Sequence, residues 1–306
     1  MIKLKLEAKG RSTHTQKTIA KQLVILAKKA NLDDPDEVNL VIARYKITNP
    51  STKKETNQPA TNTYKSLLAN AYSKYVEYCK ITNWEQPHYT AEPKGIQPPT
   101  EDRIKLLIAS AKIPLSLKIS VSKETGLRPK EVTGETGLKV KDIHRDTKTI
   151  VARSLKGCNP RPPMPISDEL LTALTTYIAS RKLNPDDLIF EGSSDTYSGH
   201  FIRFKNTIAK RLNDSTIKQI RLYDIRHWYI TKQLKRTQNA EIVRINVGHK
   251  RLNTTQKYLH LLGNLNSGEW IVEQTNDKER AKQLLTEDFN YVMTTPDGYM
   301  TFKKPK

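Results

Sequence analysis

The sequence predicts a mainly α protein with a small antiparallel β-sheet: a helical N-terminal domain followed by a mixed α/β domain. Three observations carry this. Apolar residues recur at helical spacing through most of the 306 residues. Short strand-like runs around polar turns occur in few places, chiefly within 140–166 and 270–302. The stretch from Trp84 to Pro99 holds Pro87, Pro93, Gly95, Pro98 and Pro99, a linker composition. The chain is long enough for two domains, each with its own core. The division expected is 1–83, a linker at 84–99, a larger domain at 100–263, and an add-on at 264–306.

In order along the chain, residues 14–82 read as helices. Ile19, Leu23, Leu26, Ala27 and Ala30 keep helical spacing. Asp34-Pro35-Asp36-Glu37 opens a second helix, with a capping Asp, proline at the first helical position and acids in the first turn. Thr48 to Thr52 is a polar break. A third helix spans 62–81, and its tyrosines read as core and rim rather than as stacking platforms. Thr100-Glu101-Asp102-Arg103 opens the second domain, with helix continuing from Pro114 to Lys123. Val140 to Ile143 and Thr149 to Ser154 read as short strands, with a proline-rich strand end from Pro160 to Ile166. Helices are expected at 168–181, 198–212, 224–237, 239–247 and 253–261. In the tail, Trp270 to Val272 is strand-like, Asp277 to Leu285 is helix-like, and Tyr291 to Phe302 reads as a hairpin across Pro296-Asp297-Gly298.

The net charge is +20 and the pI near 9.7. The excess falls on residues 1–98 and most heavily on 99–263, while 264–306 carry slightly more acid than base. Domains charged in this way suit a polyanion, most simply a nucleic-acid backbone. The two cysteines, Cys79 and Cys158, form neither a metal-ligand spacing nor a disulfide framework, which fits a reducing cytosol. No run approaches the roughly 18 apolar residues of a membrane helix, and the N-terminus has no signal-peptide core. A soluble, intracellular protein is expected.

Four words in the second domain carry chemistry. In Thr125-Gly126-Leu127-Arg128-Pro129-Lys130-Glu131, a glycine break sets Arg128 ahead of a helix beginning at Pro129. From there an arginine reaches a phosphate bidentately, with Glu131 behind it. Lys156 follows the second strand, where a lysine beside a leaving oxygen can donate a proton. Arg221 to Trp228 includes Tyr223 and Arg226, three apart on one helical face. Gly248-His249 precedes Tyr258 by nine positions, with Thr254 and Thr255 leading into a helix that carries the tyrosine. Singly, each has an ordinary structural reading: a helix-start arginine, a solvated lysine, a salt-bridged helix, a packed histidine or tyrosine.

Together, Thr125-Gly126-Leu127-Arg128-x-x-Glu131, Lys156-Gly157, Asp224-Ile225-Arg226-His227 and Gly248-His249 through Tyr258 resemble, in order and spacing, the tyrosine recombinase family, the phage-type and Xer-type integrases. The resemblance covers about residues 100–262. It implies that 100–263 is a catalytic domain and, more weakly, that the helical 1–83 segment is a core-binding domain on DNA. It implies a catalytic set of Arg128, Lys156, Tyr223, Arg226, His249 and Tyr258. Tyr258 attacks the phosphodiester, leaving a 3′-phosphotyrosyl link and a free 5′-hydroxyl. The arginines stabilise the charge on phosphorus oxygens, and Lys156 is the candidate acid for the leaving group. No metal, ATP or other cofactor is implied. The implied partner is double-stranded DNA, with a homotetramer on paired sites and no membrane. Tyr223 departs from the family, which usually has histidine there; a phenol donates a hydrogen bond but carries no imidazolium charge. A type IB topoisomerase-like or telomere-resolving strand transferase uses a similar set. A silent integrase-derived DNA-binding protein is the remaining alternative, supported only by Tyr223.

Overall fold

Capping residues set most helix starts in the computed structural model, which describes residues 7–48, 55–90, 95–153, 159–262 and 270–305. The chain separates into two compact units, residues 1–95 and 96–306. In the first, Ser12 caps α1 (Thr13–Ala27) through Thr15 N, and Asp34 caps α2 (Pro35–Ala43) through Asp36 N and Glu37 N. Both satisfy amide donors that a helix start leaves unpaired. Thr61 does the same for α3 (Asn62–Cys79). Leu23, Leu26, Val38, Ile42, Leu68 and Tyr72 form the core of this unit. Tyr72 is fully buried and donates to Leu32 O at 2.8 Å, so it packs as expected. Trp84, expected in the linker, joins this core: it stands edge-on to Tyr72 and donates Nε1–H to Asn39 at 3.0 Å.

One expectation for this unit is corrected. Within 14–82, an antiparallel ribbon of β1 (Lys46–Thr48) and β2 (Glu55–Pro59) interrupts the helices. Thr56 Oγ1 donates to Ile47 O, and Ala60 N to Tyr45 O. Both strands lie largely exposed, so their sequences lack the apolar alternation that marks a half-buried strand. Most of the polar break at Thr48 to Thr52 lies outside the described residues.

The second unit packs α4 (Glu101–Ser110), α5 (Leu115–Thr125), the short α6 (Pro129–Val132), α7 (Asp168–Ser180), α8 (Ser194–Arg211) and α9 (Leu222–Thr237) around one core. A three-stranded antiparallel sheet, β3 (Ile143–His144), β4 (Thr149–Ile150) and β5 (Met164–Pro165), lies in chain order beside it. Its inward residues Ile143, Ile150 and Met164 are buried. The expected strand at 140–143 is mostly a 3-10 turn, Val140–Asp142, because the Asp142 carboxylate accepts from Lys139 N at 2.8 Å and closes the backbone early. The helix expected at 198–212 begins at Ser194, where Ser193 caps it.

Two further helices complete the region: α10 (Ala240–Val247), capped by Asn239, and α11 (Asn253–Gln256). The helix expected over 253–261 breaks after Gln256, and a 3-10 turn follows at Leu259–Leu262. Tyr258 therefore lies in the junction between two short turns, not within a continuous helix. The tail folds as β6 (Trp270–Thr275), α12 (Lys278–Thr286), β7 (Asn290–Thr294) and β8 (Met300–Pro305), with β8 between the other strands. Ala281, Leu284, Phe289 and Phe302 make its small core. Among the described residues, no helix is long and apolar enough to cross a membrane.

Candidate active site

The site begins at a glycine that ends a helix. Gly126 follows α5 with φ +65°, a left-handed conformation glycine adopts without strain. A Cβ there would stand 2.3 Å from Cδ1 of Tyr229, so α9 approaches this turn only because the side chain is missing. Arg226, one turn before Tyr229, donates from Nη1 to Gly126 O at 2.6 Å and from Nη2 to Val247 O at 2.8 Å. One buried guanidinium thus ties the end of α5 to the end of α10. The α10 turn repeats the device. Gly248 has φ +66°, and a Cβ there would stand 2.8 Å from Nε of Arg161.

Arg128 precedes α6, with Pro129 at its first position. Glu131 lies one turn on and is almost fully buried. Its carboxylate accepts from Arg128 N at 2.6 Å, Arg128 Nη1 at 3.0 Å, and Arg161 Nη2 at 2.5 and 2.6 Å. Burial alone would raise its pKa, but Arg161 and Arg128 outweigh burial and hold it below the ordinary value. Glu131 neutralises only one of the two guanidiniums, and Arg226 adds a third. Arg226 Nε and Arg161 Nη1 are buried and have no hydrogen-bond partner among the described residues. Buried charged donors left so are costly, and an anionic oxygen is the group that would satisfy them. The like charges register on Arg226 itself: burial first, then Arg128 and Arg161, lower its pKa to about 10.

His249 follows Gly248 and is buried, with Nδ1 at 2.8 Å from the hydroxyl of Thr255, which is fully buried. Burial, reinforced by Arg226, Arg128 and Arg161, lowers its pKa to about 3. The imidazole is neutral at physiological pH. In the tautomer that accepts from Thr255 at Nδ1, the ring proton is on Nε2 and is a donor.

Tyr258 is 4% exposed and packs with Tyr229, Ile230, Leu234, Val243 and Val247. Its hydroxyl lies 2.7 Å from Nδ1 of His227. Burial, aided by Tyr223, pushes the phenol up to about 12, against the opposing pull of Arg226 and Arg128. The arginines therefore act on the phenol's charge without overcoming its desolvation. Tyr223 is 40% exposed, in the first turn of α9, and meets the His227 ring edge-on at 5.1 Å. Although Tyr223 and Arg226 lie three apart, Arg226 turns into the core while Tyr223 stays at the surface.

Of the six residues singled out in the sequence, Arg128, Arg226 and His249 share one charged cluster. Tyr223 and Tyr258 meet through His227, and Lys156 lies outside the described residues. Sequence reading passed over two residues. Arg161 stands among Pro160, Pro162 and Pro163, where a single rigidly held basic residue was the available signal. His227 completes the word Asp224-Ile225-Arg226-His227, but nothing in the word says which way its ring points.

A cluster of guanidiniums with buried donors unpartnered among the described residues can hold an anionic oxygen, and the chain is similar to known proteins as follows. Residues 100–264 match the model of the Phage integrase family. The chain is 30% identical over 158 residues to tyrosine recombinase XerA of Saccharolobus solfataricus, covering 52% of this chain and 50% of that one. It is 27% identical over 179 residues to tyrosine recombinase XerC of Psychromonas ingrahamii, covering 55% and 56%. The chain thus spans about half the length of these two curated relatives. By fold, it is similar to the Tn1549 transposon integrase in complex with transposon right end DNA, with TM-score 0.60, 15% identity, and 84% and 93% of the two chains covered. It is equally similar to a lambda integrase dimer bound to a COC' core site, with TM-score 0.60, 14% identity, and 86% and 94% covered. The match over more than half of its length decides the assignment: this chain belongs to the phage integrase family.

Proposed function

We propose that the chain is a site-specific DNA recombinase or integrase that cuts and rejoins DNA strands through a covalent 3′-phosphotyrosyl intermediate. The observation that carries this reading is the Tyr258 hydroxyl, held on His227 at 2.7 Å within the electrostatic reach of Arg226 and Arg128. Attack by Tyr258 oxygen forms a tyrosyl–phosphorus bond and breaks the bond to the 5′-oxygen. Arg128 and Arg226 stabilise the charge that accumulates on the non-bridging oxygens. Neutral His249 donates from Nε2 to the same phosphate, and Tyr223 donates from the rim. Lys156 protonates the leaving 5′-oxygen. Attack by the 5′-hydroxyl of a partner strand reverses the chemistry and completes exchange. The phosphotyrosyl bond conserves the energy of the broken phosphodiester, so neither ATP nor a metal is required.

The partner is double-stranded DNA, engaged mainly through phosphates by a basic chain. The relatives solved with DNA support this reading. Residues 1–83 act as the core-binding domain, 84–99 as linker, 100–263 as the catalytic domain and 264–306 as an add-on. Four protomers act on two paired sites, in the cytoplasm and associated with DNA. The test is a nicked suicide duplex carrying the sequence that the protein selects from a random pool. A protein–DNA adduct that survives denaturation is expected, and Tyr258→Phe should abolish it while leaving DNA retention intact. No adduct with the selected DNA, or an adduct that persists in Tyr258→Phe, would overturn the reading.

A further inference from the structure

We infer that His227 is the general base for strand cleavage, taking the proton of the Tyr258 hydroxyl onto Nδ1 as the tyrosyl–phosphorus bond forms. This rests on the reading of Tyr258 as nucleophile. The contact is direct: Nδ1 and the hydroxyl oxygen are 2.7 Å apart, within the range for proton transfer in place. Tyr223 and His227 stand one turn apart on α9 with their rings in contact. A neutral phenol, as at 223, is chiefly a hydrogen-bond donor, whereas an unprotonated imidazole nitrogen accepts a proton near neutral pH. The base is needed because the phenol, at about 12, is ionised to only about one part in 10⁵ at pH 7.

The surroundings suit the role. Burial, with Arg221 and Arg226, lowers the His227 pKa, and Asp224 opposes them. Among the described residues, Tyr223 and Tyr258 also meet the ring and His249 is coupled to it electrostatically, and His249 is neutral at this pH. His227 is therefore unprotonated at neutral pH, and the tautomer with its ring proton on Nε2 presents Nδ1 as the acceptor for the phenol. The step balances. The Tyr258 proton passes to Nδ1, the phenolic oxygen bonds to phosphorus, and the P–O5′ bond breaks. The leaving oxygen takes a separate proton from the general acid. In the reverse attack the expelled phenolate recovers its proton from His227.

The experiment is single-turnover cleavage of the selected nicked duplex by wild type and His227→Gln. It is run from pH 5 to 9, on a normal duplex and on one with a 5′-bridging sulfur, whose thiol leaves without an acid. Glutamine keeps a hydrogen-bond acceptor but takes no proton. The expected loss is about 100-fold on both substrates, with DNA retention unchanged. The wild-type rate should fall as pH drops through a value below 6.5, and this limb should vanish in the variant. Imidazole added to His227→Ala should restore adduct formation, which keeps the test open if glutamine disturbs the fold. Equal rates, a limb surviving in His227→Gln, full rescue by the bridging sulfur, or no imidazole response would overturn the assignment of His227 while Tyr258-dependent adduct remains. A wild type that forms no adduct would overturn the reading of Tyr258, and the base with it.

Discussion

Glu131 is where the charges of the site are reconciled, and only partly. One carboxylate faces the guanidiniums of Arg128 and Arg161, with Arg226 coupled to both. The residual positive potential falls on His249, which burial and three arginines hold at about 3 against an ordinary 6.5. This has a consequence for stability. With the folded value below the unfolded one, the unfolded chain takes up a proton first as pH falls. The stability His249 contributes is complete above about pH 6.5 and drains away as pH drops towards 3, at up to about 1.4 kcal/mol per unit of pKa difference. His249→Gln should therefore melt with a shallower dependence on pH between 6.5 and 4 than wild type, measured by thermal denaturation without DNA. Arg128, Arg226, His249 and Tyr258 could be singled out from the sequence because the short words that carry them resemble, in order, those of a known family. The partner of each could not, since Arg161 reaches Glu131 across 30 residues and His227 reaches Tyr258 across 31.

At the scale of elements, two glycine-ended helices position the site. Both α5 and α10 stop on residues with positive φ, and each glycine admits a large side chain, Tyr229 or Arg161, into the space a Cβ would take. Gly126→Ala should drive a methyl into the Tyr229 ring and force α9 outward. We expect a loss of about 1–3 kcal/mol, read from the urea midpoint, together with slower adduct formation, because Arg226 rides on the displaced helix. The Gly126 break and the Asp34 cap were legible, since both depend on a residue and its immediate neighbours, whereas the Ser193 cap that starts α8 four residues early was not. The β1–β2 ribbon was not, because its strands are exposed and carry no apolar alternation. Nor was the break that puts Tyr258 between two short turns. Thr255 pairs with His249 and Tyr258 with His227, and such contacts override a helical pattern in the sequence.

For the whole molecule, charge is the property that acts at a distance. A chain of net charge +20 whose tail is close to neutral should bind duplex DNA chiefly by releasing counterions. Retention of the selected duplex by the full chain should fall steeply between 50 and 200 mM salt, by about 10³-fold if six or more phosphates are engaged. A flat salt dependence in a filter or anisotropy titration would contradict phosphate-led binding. The sequence by itself determined the mainly helical class, the basic character and the order of the words that mark the family. Each of these is set by residue type and by spacing within a few turns. Only the tertiary structure decided that Arg161 shares a carboxylate with Arg128, that Arg226 faces inward while Tyr223 stays at the surface, and that the Tyr258 hydroxyl rests on His227. Those outcomes depend on which helices pack together and how closely, and distant backbone and side chains settle that jointly rather than any local pattern.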